Sequence, residues 1–180
     1  MYGGRLALRR AVASLAAIVV LVVVAGCASE PSGLTLVKTK SPVQLLRNEA
    51  WYRLPDVMLK GDAETTDVSV ACDADPDGLL RSWKSSTTAL INNSFAPRTD
   101  GVADALALTF EDQGWTDERT SGDSTSTILL SKPGSVATIS IEAIEKTPEH
   151  RASIRITTAG PCVETGGANS DEVRQLEGRE

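Results

Sequence analysis

The sequence predicts an α+β domain: an antiparallel sheet of about five strands with helices packed on one face. Three observations predict it. Apolar residues alternate at period two in short stretches, as in Ala137, Ile139, Ile141, Ala143 and in Ala152, Ile154, Ile156. Two stretches carry the wider helical spacing instead, around Val43–Leu54 and Val102–Phe110. Turn residues stand between strands at close intervals, so neighbouring strands are joined by hairpins rather than by crossover helices.

The first helix is expected at Ser41-Pro42, with Ser as cap and Pro at the first helical position. Val43, Leu46, Ala50 and Leu54 share one face, flanked by Leu45 and Trp51, and Pro55 ends the helix. From Thr66 the period changes. Val68, Val70 and Cys72 alternate with Ser69 and Ala71 in a first strand. Asp75-Pro76-Asp77-Gly78 is a turn, because Pro presets φ and Gly takes positive φ. A second strand runs from Leu79 to Ile91, with Trp83, Ala89 and Ile91 on one side.

Asp100 then caps a helix whose buried stripe reads Val102, Ala105, Leu106, Thr109 and Phe110, and Gly114 stops it. Trp115 opens a strand to about Thr120. Ser121-Gly122-Asp123 turns the chain into Thr125–Lys132, and Pro133-Gly134 turns it again. The last two strands follow, half-buried. The order after the N-terminal helix is β-β-α-β-β-β. From position 163 to 180 the chain is polar and acidic, and a disordered tail is expected.

The N-terminus is of another kind. Arg5, Arg9 and Arg10 precede an apolar run of 16 residues, Ala11 to Gly26, in which Ser14 is the one polar side chain. Charge followed by an apolar stretch is the order of a secretory signal. The run is short of the roughly 20 residues that a spanning helix needs. It ends in Val24-Ala25-Gly26-Cys27, which resembles the lipobox of bacterial lipoproteins: an aliphatic residue, two small ones, then Cys. The resemblance implies diacylglyceryl transfer to the Cys27 thiol, cleavage before it, and acylation (palmitate, for example) of the new amine. Two acyl chains hold a protein stably, whereas one is marginal. The expected organisation is therefore a signal peptide over 1–26, lipidated Cys27 with a tether over 27–40, a globular domain over 41–162, and the tail over 163–180.

Removing the signal takes away three of 18 basic residues and none of 24 acidic ones, so the mature net charge is 15 − 24 = −9. A polyanion lacks the cationic contacts that nucleic acid demands. It also gains nothing from anionic headgroups, so the lipid must do the anchoring. Cys72 and Cys162 remain after Cys27. Outside the membrane such a pair is expected to form a disulfide.

Candidate chemistry is sparse. His150, the single histidine, stands in Thr147-Pro148-Glu149-His150 and is expected in an exposed turn. Asp73, Asp75 and Asp77, with Gly78, resemble the start of a calcium loop. Position twelve, where that loop wants a bidentate Glu, is Lys84, so an acidic turn is expected, with weak calcium binding as the alternative. One histidine and an oxidised cysteine pair cannot complete a zinc site. Gly33, Gly61 and Gly101 stand alone, so no Gly-rich phosphate loop is expected. Glu111-Asp112 and Asp117-Glu118 are adjacent pairs whose side chains diverge, and solvated charge is expected. Trp51, Trp83 and Trp115 are expected in the core rather than in a ligand pocket.

The lipobox, short tether, helix, two-cysteine β-β-α-β-β-β pattern, Gly114-Trp115 step and closing Gly160-Pro161-Cys162 together resemble the small lipoproteins of actinobacteria, including mycobacteria. As a group these largely lack an assigned activity. The resemblance implies an extracytoplasmic, lipid-anchored membrane location and no particular reaction. The functional expectation is a non-catalytic binding or accessory module at the cell envelope, without a metal or other cofactor. Its partners would be membrane lipid through acylated Cys27 and an envelope protein or small ligand. The alternative is an envelope hydrolase with an unrecognised site.

Overall fold

A computed structural model describes residues 33–179 apart from 74, 76, 93 and 95–97. Over the described residues the fold is α+β, with one antiparallel sheet, three α-helices and one disulfide. The strands are β1 (Leu59–Ala71), β2 (Leu80–Ile91), β3 (Thr116–Ser121), β4 (Thr125–Ser131), β5 (Thr138–Ile144), β6 (Ser153–Ala159) and the two-residue β7 (Val163–Glu164). The helices are α1 (Leu36–Tyr52), α2 (Thr99–Glu111) and α3 (Asp171–Leu176). Spatial order is β1-β2-β6-β5-β4-β3, and β7 pairs with the start of β2. The last long strand, β6, is thus inserted between β2 and β5.

α1 and α2 cover the same face of the sheet. Every second residue of the central strands points to them: Ile139 and Ile141 of β5, Ile154 and Ile156 of β6, Ile128 and Leu130 of β4. They meet Val102, Ala103, Leu106, Ala107 and Phe110 from α2 and Ala50 from α1. Each fully buried large aliphatic contributes about 1.5–3 kcal/mol relative to exposure, so this layer dominates stability. Phe110 meets Trp115 edge to face, with ring centroids 5.6 Å apart. Arg53 lies over the Phe110 ring, 4.1 Å from its centre, and donates to the Thr109 carbonyl at 2.8 Å. Within α2 the buried small residues are Ala103 and Ala107; Ala105, expected inside, is exposed because the helix sits about one position away from the predicted stripe.

Three boundaries differ from the sequence expectation. α1 starts at Leu36, capped by Thr35, whose side chain accepts from the Lys38 N–H. Pro42 falls inside the helix, where it has no N–H to give the Lys38 carbonyl. The gain that offsets this is burial: Leu36, Thr39 and Val43 lie on one face and are fully buried. Residues 36–40, expected in the tether, are therefore helical. β1 begins at Leu59, well before Thr66; as an edge strand it is exposed on both faces over Lys60–Thr66 and carries no alternation there. The sheet has seven strands rather than about five, one of them the two-residue β7 in the segment expected to be a tail.

The third difference is the C-terminal segment. It is ordered over the described residues rather than a disordered tail. Val163 and Val173 are buried with Leu36, Val43, Trp83 and Ala137 in a second cluster. Ser170 caps α3 by accepting from the Val173 N–H. Lys40 Nζ donates to the Leu176 carbonyl at 2.8 Å, and the Ser69 N–H donates to Glu177 Oε1 at 2.9 Å. Few apolar residues suffice here because the sheet end and α1 already supply the other half of the cluster.

Candidate functional site

With both long helices on one face, the other face of the sheet is open. Strand alternation sends a polar set to it, and pairing aligns that set in rows across the strands. One row reads Thr66, Ser86, Thr157, Ser140, Leu129. The next reads Glu64, Thr88, Arg155, Glu142. Together with Lys84, Thr138 and Ala159 they line a concave depression of about 590 Å³.

Its polar contacts are specific. The Ser86 and Thr157 hydroxyls are 2.9 Å apart. Arg155 donates from Nη1 to Glu142 Oε2 at 3.2 Å and from Nε to the Thr88 hydroxyl at 3.3 Å. Hydroxyls both donate and accept, so this surface suits a polar partner held by many hydrogen bonds. Among the described residues no histidine or cysteine lines it, and no imidazole stands beside the lining hydroxyls.

The residues singled out from sequence lie elsewhere. Val24, Ala25, Gly26 and Cys27 fall outside the described residues. Cys72 and Cys162 are bonded to each other across 90 residues, with Cα atoms 6.2 Å apart. Gly33, the first described residue, is tied to the domain by a 2.6 Å bond from Lys38 Nζ to its carbonyl. Five residues, Ala28–Ser32, therefore separate it from Cys27, a reach of at most about 20 Å.

Asp75 is used by its own turn: Oδ1 accepts from the Asp77 N–H, and Oδ2 accepts from the Leu80 N–H. Asp73 and Asp77 are exposed, and among the described residues no three His, Cys, Asp or Glu side chains converge as metal ligands. His150 is exposed in a turn where the Thr147 hydroxyl oxygen accepts from the backbone N–H groups of Glu149 and His150. Trp83 and Trp115 are buried and Trp51 packs against the main core. Glu111 and Asp117 both pair with Arg119 on the α2–β3 surface, as Asp104 does. Asp117 and then Asp104 raise the Arg119 pKa, against the opposing effect of burial.

Sequence reasoning missed the open-face depression. Its rows join residues about 70 apart in the chain, such as Ser86 and Thr157, and only the insertion of β6 beside β2 brings them together. No helix among the described residues is long and apolar enough to cross a membrane. Comparison with protein-family models, with curated proteins and with solved structures found no match. Fold and site thus define a class by themselves: a disulfide-linked α+β domain with one helix-covered and one open, hydroxyl-rich sheet face.

Proposed function

We propose that this chain is a lipid-anchored extracytoplasmic lipoprotein whose domain is a non-catalytic binding module, offering its open sheet face to a polar partner of the cell envelope. The observation that carries the anchoring is the pairing of Cys72 with Cys162. It accounts for every cysteine except the one that ends the lipobox, and a disulfide belongs to an oxidising compartment. The short reach from Cys27 to Gly33 keeps the domain beside the bilayer.

The test combines fractionation with crosslinking. The native chain partitions with membranes and takes up labelled palmitate; Cys27→Ala does neither. A photo-crosslinking residue at Ser140, on the open face, gives adducts that one at Leu108, exposed on α2, does not. A Cys27→Ala chain that is still labelled and membrane-bound refutes the anchor. Equal adducts from both positions refute the assignment of the face.

A further inference from the structure

The sheet carries a second, smaller pocket of about 240 Å³, lined by Lys60, Leu90, Ile91, Lys146, Arg151 and Ala152. Ile91 and Ala152 form a buried floor, joined by a 2.9 Å backbone bond from the Ile91 N–H to the Ala152 carbonyl. Three cationic side chains surround that floor: Lys60 from the start of β1, Lys146 from the start of the β5–β6 connection, and Arg151 near its end. Among the described residues no carboxylate lines the pocket. Asp62, Glu145 and Glu149, the acidic residues nearest in sequence, are exposed outside it.

The convergence is unusual for this chain. Past residue 26 it carries 15 basic residues against 24 acidic ones. Ten of the 15 have a hydrogen-bond or ion-pair partner among the described residues. Three of the remaining five are Lys60, Lys146 and Arg151. In a polyanion, three cations without a carboxylate partner that share one pocket repel each other, and a bound anion relieves that repulsion. A volume of about 240 Å³ holds roughly eight waters, enough for a phosphate-sized group and its remaining hydration.

We propose that Lys60, Lys146 and Arg151 form an oxyanion site for a phosphate or carboxylate group. Arg151 supplies a planar fork suited to two oxygens of one such group, and the lysines supply point charges. The site lies at the end of the sheet opposite the start of α1. Leu36 packs with Trp83 and Val163 at one end, whereas the far end of α1, which is about 25 Å long at 17 residues, places Ala50 in the cluster that holds Ile91. The ligand is therefore a soluble or wall-borne oxyanion and not a headgroup of the anchoring bilayer. That exclusion rests on the anchoring proposed above; anion binding itself does not.

The test is a titration of the full chain in non-ionic detergent, followed by backbone amide resonances. Inorganic phosphate and citrate are the soluble probes, and micelles doped with phosphatidylglycerol are the lipid probe. Phosphate or citrate shifts the amides of Lys60, Ile91, Lys146 and Arg151 saturably, and added salt weakens the effect. Arg151→Gln and Lys146→Gln each weaken binding about tenfold, the worth of one charge-assisted hydrogen bond, with the remaining spectrum unchanged. Lys84→Gln, a cation of the open face, leaves it intact. Absence of saturable shifts with both soluble probes overturns the site, as does an equal loss in Lys84→Gln. Shifts at these amides with doped micelles alone overturn the assignment to a ligand away from the bilayer, while leaving the palmitate result at Cys27 to decide the anchoring.

Discussion

Replacing both Cys72 and Cys162 by Ser destabilises the domain by about 4.6 kcal/mol. The bridge closes a loop of 90 residues. On the chain-entropy account it removes about 2.1 + 1.5R ln 90, or roughly 15.5 cal/mol/K, from the unfolded ensemble, which gives about 4.6 kcal/mol at 25 °C. The loop encloses β2 to β6 and α2, so the constraint reaches nearly the whole sheet. With an m-value near 2 kcal/mol/M, the urea midpoint falls by about 2 M. The assay is urea unfolding of native and doubly substituted full chain in the same detergent, read by tryptophan fluorescence. Trp83 and Trp115 are buried and report the transition. Cys162 is exposed, so a reductant reaches the bridge, and reduction of the native chain must reproduce the shift. A variant already unfolded without urea shows that the loss equals or exceeds the whole stability of the native chain, which the native urea curve supplies for comparison. A midpoint change below about 0.5 M at equal m refutes the reasoning, because the unfolded chain would then gain no freedom from losing the bridge.

Two further predictions concern the C-terminal segment. Val173→Ala removes two methyl groups from a fully buried position and costs about 2 kcal/mol. A disordered segment would show none of this, so a loss under about 0.5 kcal/mol in thermal or urea unfolding counts against the packing of α3. Glu177 sets a pH dependence. Partial burial works against its charged form, but the Ser69 N–H and Arg179 outweigh this and hold its pKa below the ordinary glutamate range. The folded pKa is thus lower than the unfolded one, so its stabilisation is present above the unfolded value of about 4.3 and is lost as pH falls through the folded value. The stability gap between native and Glu177→Gln chains is constant from neutral pH to about 5 and shrinks below about 4.3. A gap that widens on acidification contradicts the sign.

How much was legible in the sequence follows from how local each signal is. The alternation of Ile139, Ile141 and Ala143, and of Ile154 and Ile156, marked strands because each strand buries one face only. The stripe through Val102, Leu106 and Phe110 marked α2 for the same reason at helical period. β1 was half hidden, since an edge strand exposed on both faces needs no apolar pattern. The start of α1 was misplaced because Ser41-Pro42 is a good local start signal, and only Val163 and Val173 make burial of Leu36 worthwhile. The cationic pocket was invisible because Lys60 and Arg151 lie 91 residues apart and meet through strand pairing.

Residues read stretch by stretch already carried the fold class, the two helical stripes and the pairing left to Cys72 and Cys162. These follow from composition, period and counting, which neighbours in the chain carry. Tertiary structure alone decided that β6 enters between β2 and β5, that the acidic C-terminal segment folds onto α1, and that one sheet face stays open. Those outcomes depend on which distant surfaces bury each other, and burial is settled by the whole sheet at once rather than by any one stretch of residues.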